Sequence, residues 1–212
     1  MTEYIVRVSH ATKRFKNTLA LKDITVNFEK GKIHGIIGRN GSGKTLLFKA
    51  ICGFLKLDEG EIYVHNKKVK PTIPQDIGII IEEPGFIDHL SAFKNLKLLS
   101  SIKKKITDTQ IKEAIAIVGL NPSSKKHVHK FSLGMRHRLA IAQAIMENPE
   151  LLILDEPMNG LDKEGVLEMR ELFKKLKQDG RTIILSSHYA EDIEVLCETV
   201  HEMDQGIMTK IS

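Results

Sequence analysis

The eight residues Gly38-Arg39-Asn40-Gly41-Ser42-Gly43-Lys44-Thr45 constrain this chain more than any others. They fit the pattern G-x-x-x-x-G-K-[ST], a loop built to hold phosphate. Its context agrees. An apolar stretch, Ile33–Ile37, precedes it as a strand, and Leu46–Phe54 follows it as a helix. Glycines let backbone N–H groups curl around phosphate oxygens, and the helix N-terminus adds partial positive charge. Lys44 reaches the β- and γ-phosphates as a point charge, and the Thr45 hydroxyl is offered to Mg²⁺.

Leu151-Leu-Ile-Leu-Asp155-Glu156 supplies the complement. Four apolar residues read as a strand buried on both faces, ending in two carboxylates. Ligands bind at such strand ends in open parallel sheets. Asp155 is placed to hold Mg²⁺, usually through water, and Glu156 to take a proton from an attacking water.

The remaining pattern is α/β. Tyr4–Ser9 alternates, Leu21–Phe28 is β-rich, and Glu61–His65 and Asp76–Ile81 read as strands. Between about Pro84 and Asn148 the pattern is helical. Ser91 caps one expected helix, Thr107 or Asp108 a second that stops at Gly119, and Ser132 a long third that stops before Pro149. Lys163–Gln178 is amphipathic, with Val166, Met169, Phe173 and Leu176 on one stripe. Thr182–Ser186 is a buried strand, Tyr189–Cys197 a short helix, and a last hairpin turns at Gln205-Gly206. One domain is expected over the 212 residues, with an α/β core at about 1–83 and 149–212 and a helical insertion at about 84–148.

Composition narrows the function classes. Net charge is +5, but Lys and Arg are scattered, and three Tyr, eight Phe and no Trp give no base-stacking surface, so nucleic acid is not the expected partner. Cys52 and Cys197 stand alone, which suits a reducing compartment. No apolar run approaches the roughly 18 residues of a membrane span, so the chain reads as cytoplasmic.

Together these motifs resemble the ATP-binding subunit of ATP-binding cassette (ABC) transporters, from about Phe15 to His188 and most densely over Phe131–Asp162. The Phe131-Ser132-Leu133-Gly134-Met135 stretch is similar to that family's L-S-G-G-Q signature. Ser132 and Gly134 match it, while Leu133 and Met135 depart. Asn159-Gly160-Leu161-Asp162 resembles its D-loop, and Ser186-Ser187-His188 its switch histidine. Phe15 takes the place of the aromatic that stacks on adenine. Glu82 stands where the family carries Gln as a Mg²⁺ ligand, and a carboxylate suits that hard cation at least as well. The Ser-Leu-Gly-Met signature, and Glu82 followed by Pro84-Gly85-Phe86, resemble the bacitracin- and lantibiotic-resistance exporters.

The resemblance implies a phosphate-loop core with an antiparallel β-subdomain and an inserted helical subdomain. It implies ATP and Mg²⁺ as cofactors, with Glu156, His188 and Lys44 catalytic. Gly38–Thr45, Phe15, Glu82 and Asp155 would hold the nucleotide, and Thr45, Glu82 and Asp155 the metal. Ser132–Met135 and Asp162 would serve the ATP bound by a second ATPase subunit, identical or homologous. A separate integral-membrane permease would place the chain on the inner face of the membrane and carry an antimicrobial peptide or similar cargo. An additional regulatory domain after the hairpin is not expected. Two other classes stay open: a nucleotide-dependent sensor with weak hydrolysis, and a soluble ABC ATPase acting on nucleic acid or ribosomes.

Overall fold

The computed structural model describes residues 2–70, 77–82 and 85–212. Two 12-residue strands open the chain, β1 (Tyr4–Phe15) and β2 (Thr18–Glu29), paired antiparallel. Val6 and Val8 are buried while Arg7 between them is exposed, and Ile24, Val26 and Phe28 alternate in the same way. β4 (Glu59–Val64) pairs with the other edge of β1, and β5 (Lys67–Lys68) completes a four-stranded sheet in the order β2-β1-β4-β5. β5 is too short to carry a periodic signal, and the sequence did not predict it.

The second sheet has the order β10-β9-β3-β8-β7-β6. Its strands are β3 (Ile33–Ile37), β6 (Ile77–Ile80), β7 (Leu151–Leu154), β8 (Thr182–Ser186), β9 (Thr199–Asp204) and β10 (Ile207–Lys210). All neighbours are parallel except β9 and β10, which form the expected hairpin. Gln205 and Gly206 both have positive φ, 44° and 82°, as its turn demands. The strand read from Asp76 to Ile81 appears as β6; Asp76, Glu83 and Pro84 lie outside the described residues.

β7 shows why its sequence is uniformly apolar. Leu151 and Ile153 face one core, and Leu152 and Leu154 face the other. Helix α1 (Lys44–Ile51) packs Leu47, Phe48 and Ile51 into the first core, together with residues of both sheets. The second core takes in α2 (Ala92–Lys103), α3 (Asp108–Ile117), α4 (Leu133–Ile145), α5 (Lys163–Gln178) and α6 (Ala190–Leu196). α4 approaches β6 so closely that a Cβ on Gly78 would lie 2.0 Å from the Ala144 carbonyl oxygen.

The helix starts follow the expected caps. Ser91 accepts from the Lys94 N–H, and Thr107 forms a reciprocal capping box with Gln110, settling the choice between Thr107 and Asp108. Ser132 and Asp162 accept from the Met135 and Gly165 N–H groups at 3.2 and 2.9 Å. The α5 stripe is buried at Met169, Phe173 and Leu176.

Candidate nucleotide site

Strand β3 and helix α1 deliver the phosphate loop between them. Gly38 has φ 146°, and a Cβ there would lie 2.1 Å from the Met203 carbonyl oxygen, so only glycine fits. Lys44 is buried, and its Nζ donates to the carbonyls of Gly38 and Arg39 at 2.7 and 3.3 Å. The ammonium thus lies along the loop. The Ser42 hydroxyl is also buried, and its Oγ has no hydrogen-bond partner. An orphaned donor inside a glycine cradle fits a phosphate oxygen.

The end of β7 brings Asp155 to α1. The Thr45 hydroxyl donates to Asp155 Oδ2 and the Ser186 hydroxyl to Asp155 Oδ1, both at 2.6 Å. One hydroxyl and one carboxylate side by side, open to water and phosphate oxygens, is the sparse donor set Mg²⁺ takes. Among the described residues no cluster of three or more His, Cys, Asp or Glu could hold a metal without such help.

Glu156 follows in the left-handed region at φ 51°. That conformation costs a non-glycine residue about 1 kcal/mol or more, and here it turns the carboxylate toward β8. Its N–H donates to Ser186 Oγ at 2.9 Å, so one hydroxyl ties both carboxylates to β8. The His188 N–H reaches Glu156 Oε2 at 3.3 Å, and His188 Nε2 lies 3.1 Å from Oε1. That second approach is not an aligned hydrogen bond, since Oε1 has no hydrogen-bond partner. Burial holds the Glu156 carboxyl above the ordinary range, and the Asp155 charge adds to this; His188 and Lys44 pull the other way. A half-buried carboxylate with raised affinity for a proton suits a general base. Asn40–Leu46, Asp155, Glu156 and His188 line one cavity of about 190 Å³.

Other expected site residues lie elsewhere. Glu82 is exposed, at φ 60°, and pairs with Lys49 Nζ at 2.6 Å. Lys49 is one turn beyond Thr45 on α1, and Glu82 is not among the residues that line the phosphate-loop cavity. Phe15 stands exposed where β1 turns into β2, with Lys13 Nζ 5.5 Å above its ring. Ser132–Met135 start α4 and line none of the phosphate-loop cavity. They meet the D-loop stretch instead: a Cβ on Gly160 would lie 2.5 Å from Leu133 Cδ2, and one on Gly134 3.1 Å from the Gly160 carbonyl oxygen. Asp162 caps α5.

Sequence reasoning missed Ser186 as a ligand of Asp155. Its signal was present, a hydroxyl ending a buried strand two residues before His188. It also missed Arg170 and Asp192, which join α5 to α6 and have no local pattern.

A family model described as ABC transporter matches residues 21–159. An uncharacterised ABC transporter ATP-binding protein, YybJ of Bacillus subtilis (strain 168), is 43% identical over 95% of this chain and 94% of its own length. The bacitracin transport ATP-binding protein BcrA of Enterococcus faecalis is 37% identical over 96% of this chain and 68% of its own. The lantibiotic transport ATP-binding protein SrtF of Streptococcus pyogenes is 34% identical over 95% and 88%. Among solved structures, a dimeric post-hydrolysis state of the ATP-binding cassette MJ0796 bound to ADP and Pi superposes with a TM-score of 0.88. It is 25% identical, over 98% of this chain and 99% of that one.

Proposed function

This chain belongs to the ABC transporter family as an ATP-binding ATPase subunit, and from that premise we propose that it hydrolyses ATP between two such subunits to drive a separate membrane permease. The observation that carries this is the end of β7. There Asp155 is bonded to the phosphate-loop Thr45, and Glu156 lies against His188.

The triphosphate is cradled by the N–H groups of the loop and by Lys44, whose ammonium can turn from the Gly38 and Arg39 carbonyls to phosphate oxygen. Thr45 and Asp155 would hold Mg²⁺, which would neutralise charge on the phosphates. Glu156 takes the proton of the attacking water. Its raised proton affinity makes it a better acceptor, and the His188 N–H orients its carboxylate, while the ring would turn from Glu156 to reach the γ-phosphate. Ser132–Met135 lie apart from this cavity, which supports a shared site in which the signature of one subunit covers the loop of the other. The helices between β6 and β7 would then face the permease. The bacitracin and lantibiotic relatives support export of a peptide antibiotic as the cargo class.

Phosphate release and equilibrium nucleotide binding test the chemistry. Glu156→Gln keeps Mg-ATP affinity within about threefold and loses at least about 100-fold in kcat, the scale of a lost general base. Lys44→Ala loses binding itself. Wild-type turnover by Glu156→Gln would overturn the assignment.

A further inference from the structure

We propose that Ser187, Asp192 and Arg170 form a positioning relay that fixes the loop carrying His188, without touching the nucleotide. This rests on Glu156 and His188 being the hydrolytic pair.

The relay begins at Arg170 on α5, 5% exposed, and Asp192 on α6, 1% exposed. Arg170 Nε and Nη2 donate to Asp192 Oδ1 at 2.9 and 2.6 Å, and Nη1 donates to Glu191 at 2.9 Å. The other Asp192 oxygen, Oδ2, accepts from the Ser187 hydroxyl at 2.7 Å. That same hydroxyl oxygen accepts the Tyr189 N–H at 3.1 Å. Ser187 and Tyr189 flank His188, so both neighbours of the histidine are tied to one oxygen anchored on a buried carboxylate.

The contrast with His188 itself is informative. Its side chain is 43% exposed, and the contact found for its ring is with Glu156. A partly exposed imidazole on a loop has many rotamers and little packing to choose among them. A buried ion pair is a weak source of stability, because desolvating two charges offsets most of their attraction. Apolar side chains would join α5 to α6 at least as well. A charged pair does what they cannot: it presents a fixed acceptor to Ser187. Catalytic geometry tolerates errors of only about half an ångström, so bracing of this kind belongs behind an exposed reacting group.

The test is a double-mutant cycle read by single-turnover phosphate release. Ser187→Ala removes the hydroxyl at nearly constant volume; kcat falls about tenfold, while the ATP KM stays within twofold. Ser187→Thr, which keeps a hydroxyl, restores most of the rate. Asp192→Asn falls with Ser187→Ala. In a His188→Ala background Ser187→Ala costs at most about threefold further, because the imidazole it positions is gone and only the residue-188 N–H to Glu156 remains. A second tenfold loss in that background would show a general structural role and overturn the relay. So would wild-type kcat in Ser187→Ala. Wild-type turnover by His188→Ala alone would instead bring down the assignment of the hydrolytic pair. If Asp192→Asn unfolds on removal of the buried charge, Ser187→Ala and Ser187→Thr decide.

Discussion

Two carboxylates adjacent in sequence do different work because their surroundings differ. Each oxygen of Asp155 accepts from one hydroxyl, whereas Glu156 is half-buried, strained and holds an oxygen without a hydrogen-bond partner. Thr45→Ala therefore removes one of two donors to Asp155 and one metal-side oxygen. It is expected to raise the Mg²⁺ concentration needed for half-maximal hydrolysis about tenfold or more, measured by titration at fixed ATP; an unchanged midpoint would contradict the placement of Thr45. Glu82 carries the opposite expectation. Its carboxylate serves Lys49 at the surface, and exposed pairs contribute about 1 kcal/mol or less. Glu82→Gln should leave kcat at saturating Mg²⁺ within about threefold, and a fall of 30-fold would put that carboxylate on the metal. At this scale the sequence was legible where a residue's place follows from its covalent neighbours, as for Lys44, Asp155 and Glu156, which line one cavity. It was not legible for Ser186, Asp192 and Arg170, whose roles depend on which strands and helices meet.

The elements were read more completely than the contacts between them. α5 and β8 have their predicted limits, because Gly180 and an unbroken apolar stripe mark them. Nothing in the sequence announced that α4 would press its backbone onto β6. Gly78→Ala should therefore destabilise the chain by about 3 kcal/mol, a strained small-to-large change, read as a lowered denaturation midpoint. Nor did the sequence mark that His34 on β3 and His201 on β9 would both be buried against the Phe28 ring. Burial pushes the His201 imidazole down to about 4, with His34 and Lys210 adding to the shift, and its Nδ1 has no hydrogen-bond partner. Burial also lowers His34, which bonds Thr199 and the Glu29 carbonyl. The folded pKa lies below the unfolded value, so above about pH 6.5 neither state binds the proton and the pair has no effect. As pH falls from there toward 4, the unfolded chain takes protons that the folded chain refuses. His201 alone then costs about 3 kcal/mol by pH 4. His201→Leu should flatten the pH dependence of unfolding free energy across that window by about 1 kcal/mol per unit, beyond what the carboxylates contribute. Parallel curves for the two proteins would contradict it.

For the whole molecule, the placing of α2, α3 and α4 between β6 and β7 was visible as a helical pattern in that stretch. The strand order β10-β9-β3-β8-β7-β6 was not, since crossover connections leave no trace in composition. That order sets β3 beside β8 and β8 beside β7, and so carries the phosphate loop, Asp155, Glu156 and His188 to the C-terminal ends of adjacent strands. It leaves Ser132–Met135 outside the cavity those residues line. In the proposed reading a second subunit completes the cavity. Light scattering of Glu156→Gln, with and without Mg-ATP, reads that completion. The expected result is a monomer without nucleotide and a dimer with Mg-ATP, reversed when Ser132→Arg is added. A monomer under both conditions, with ATP binding verified, would contradict closure between two copies of this chain.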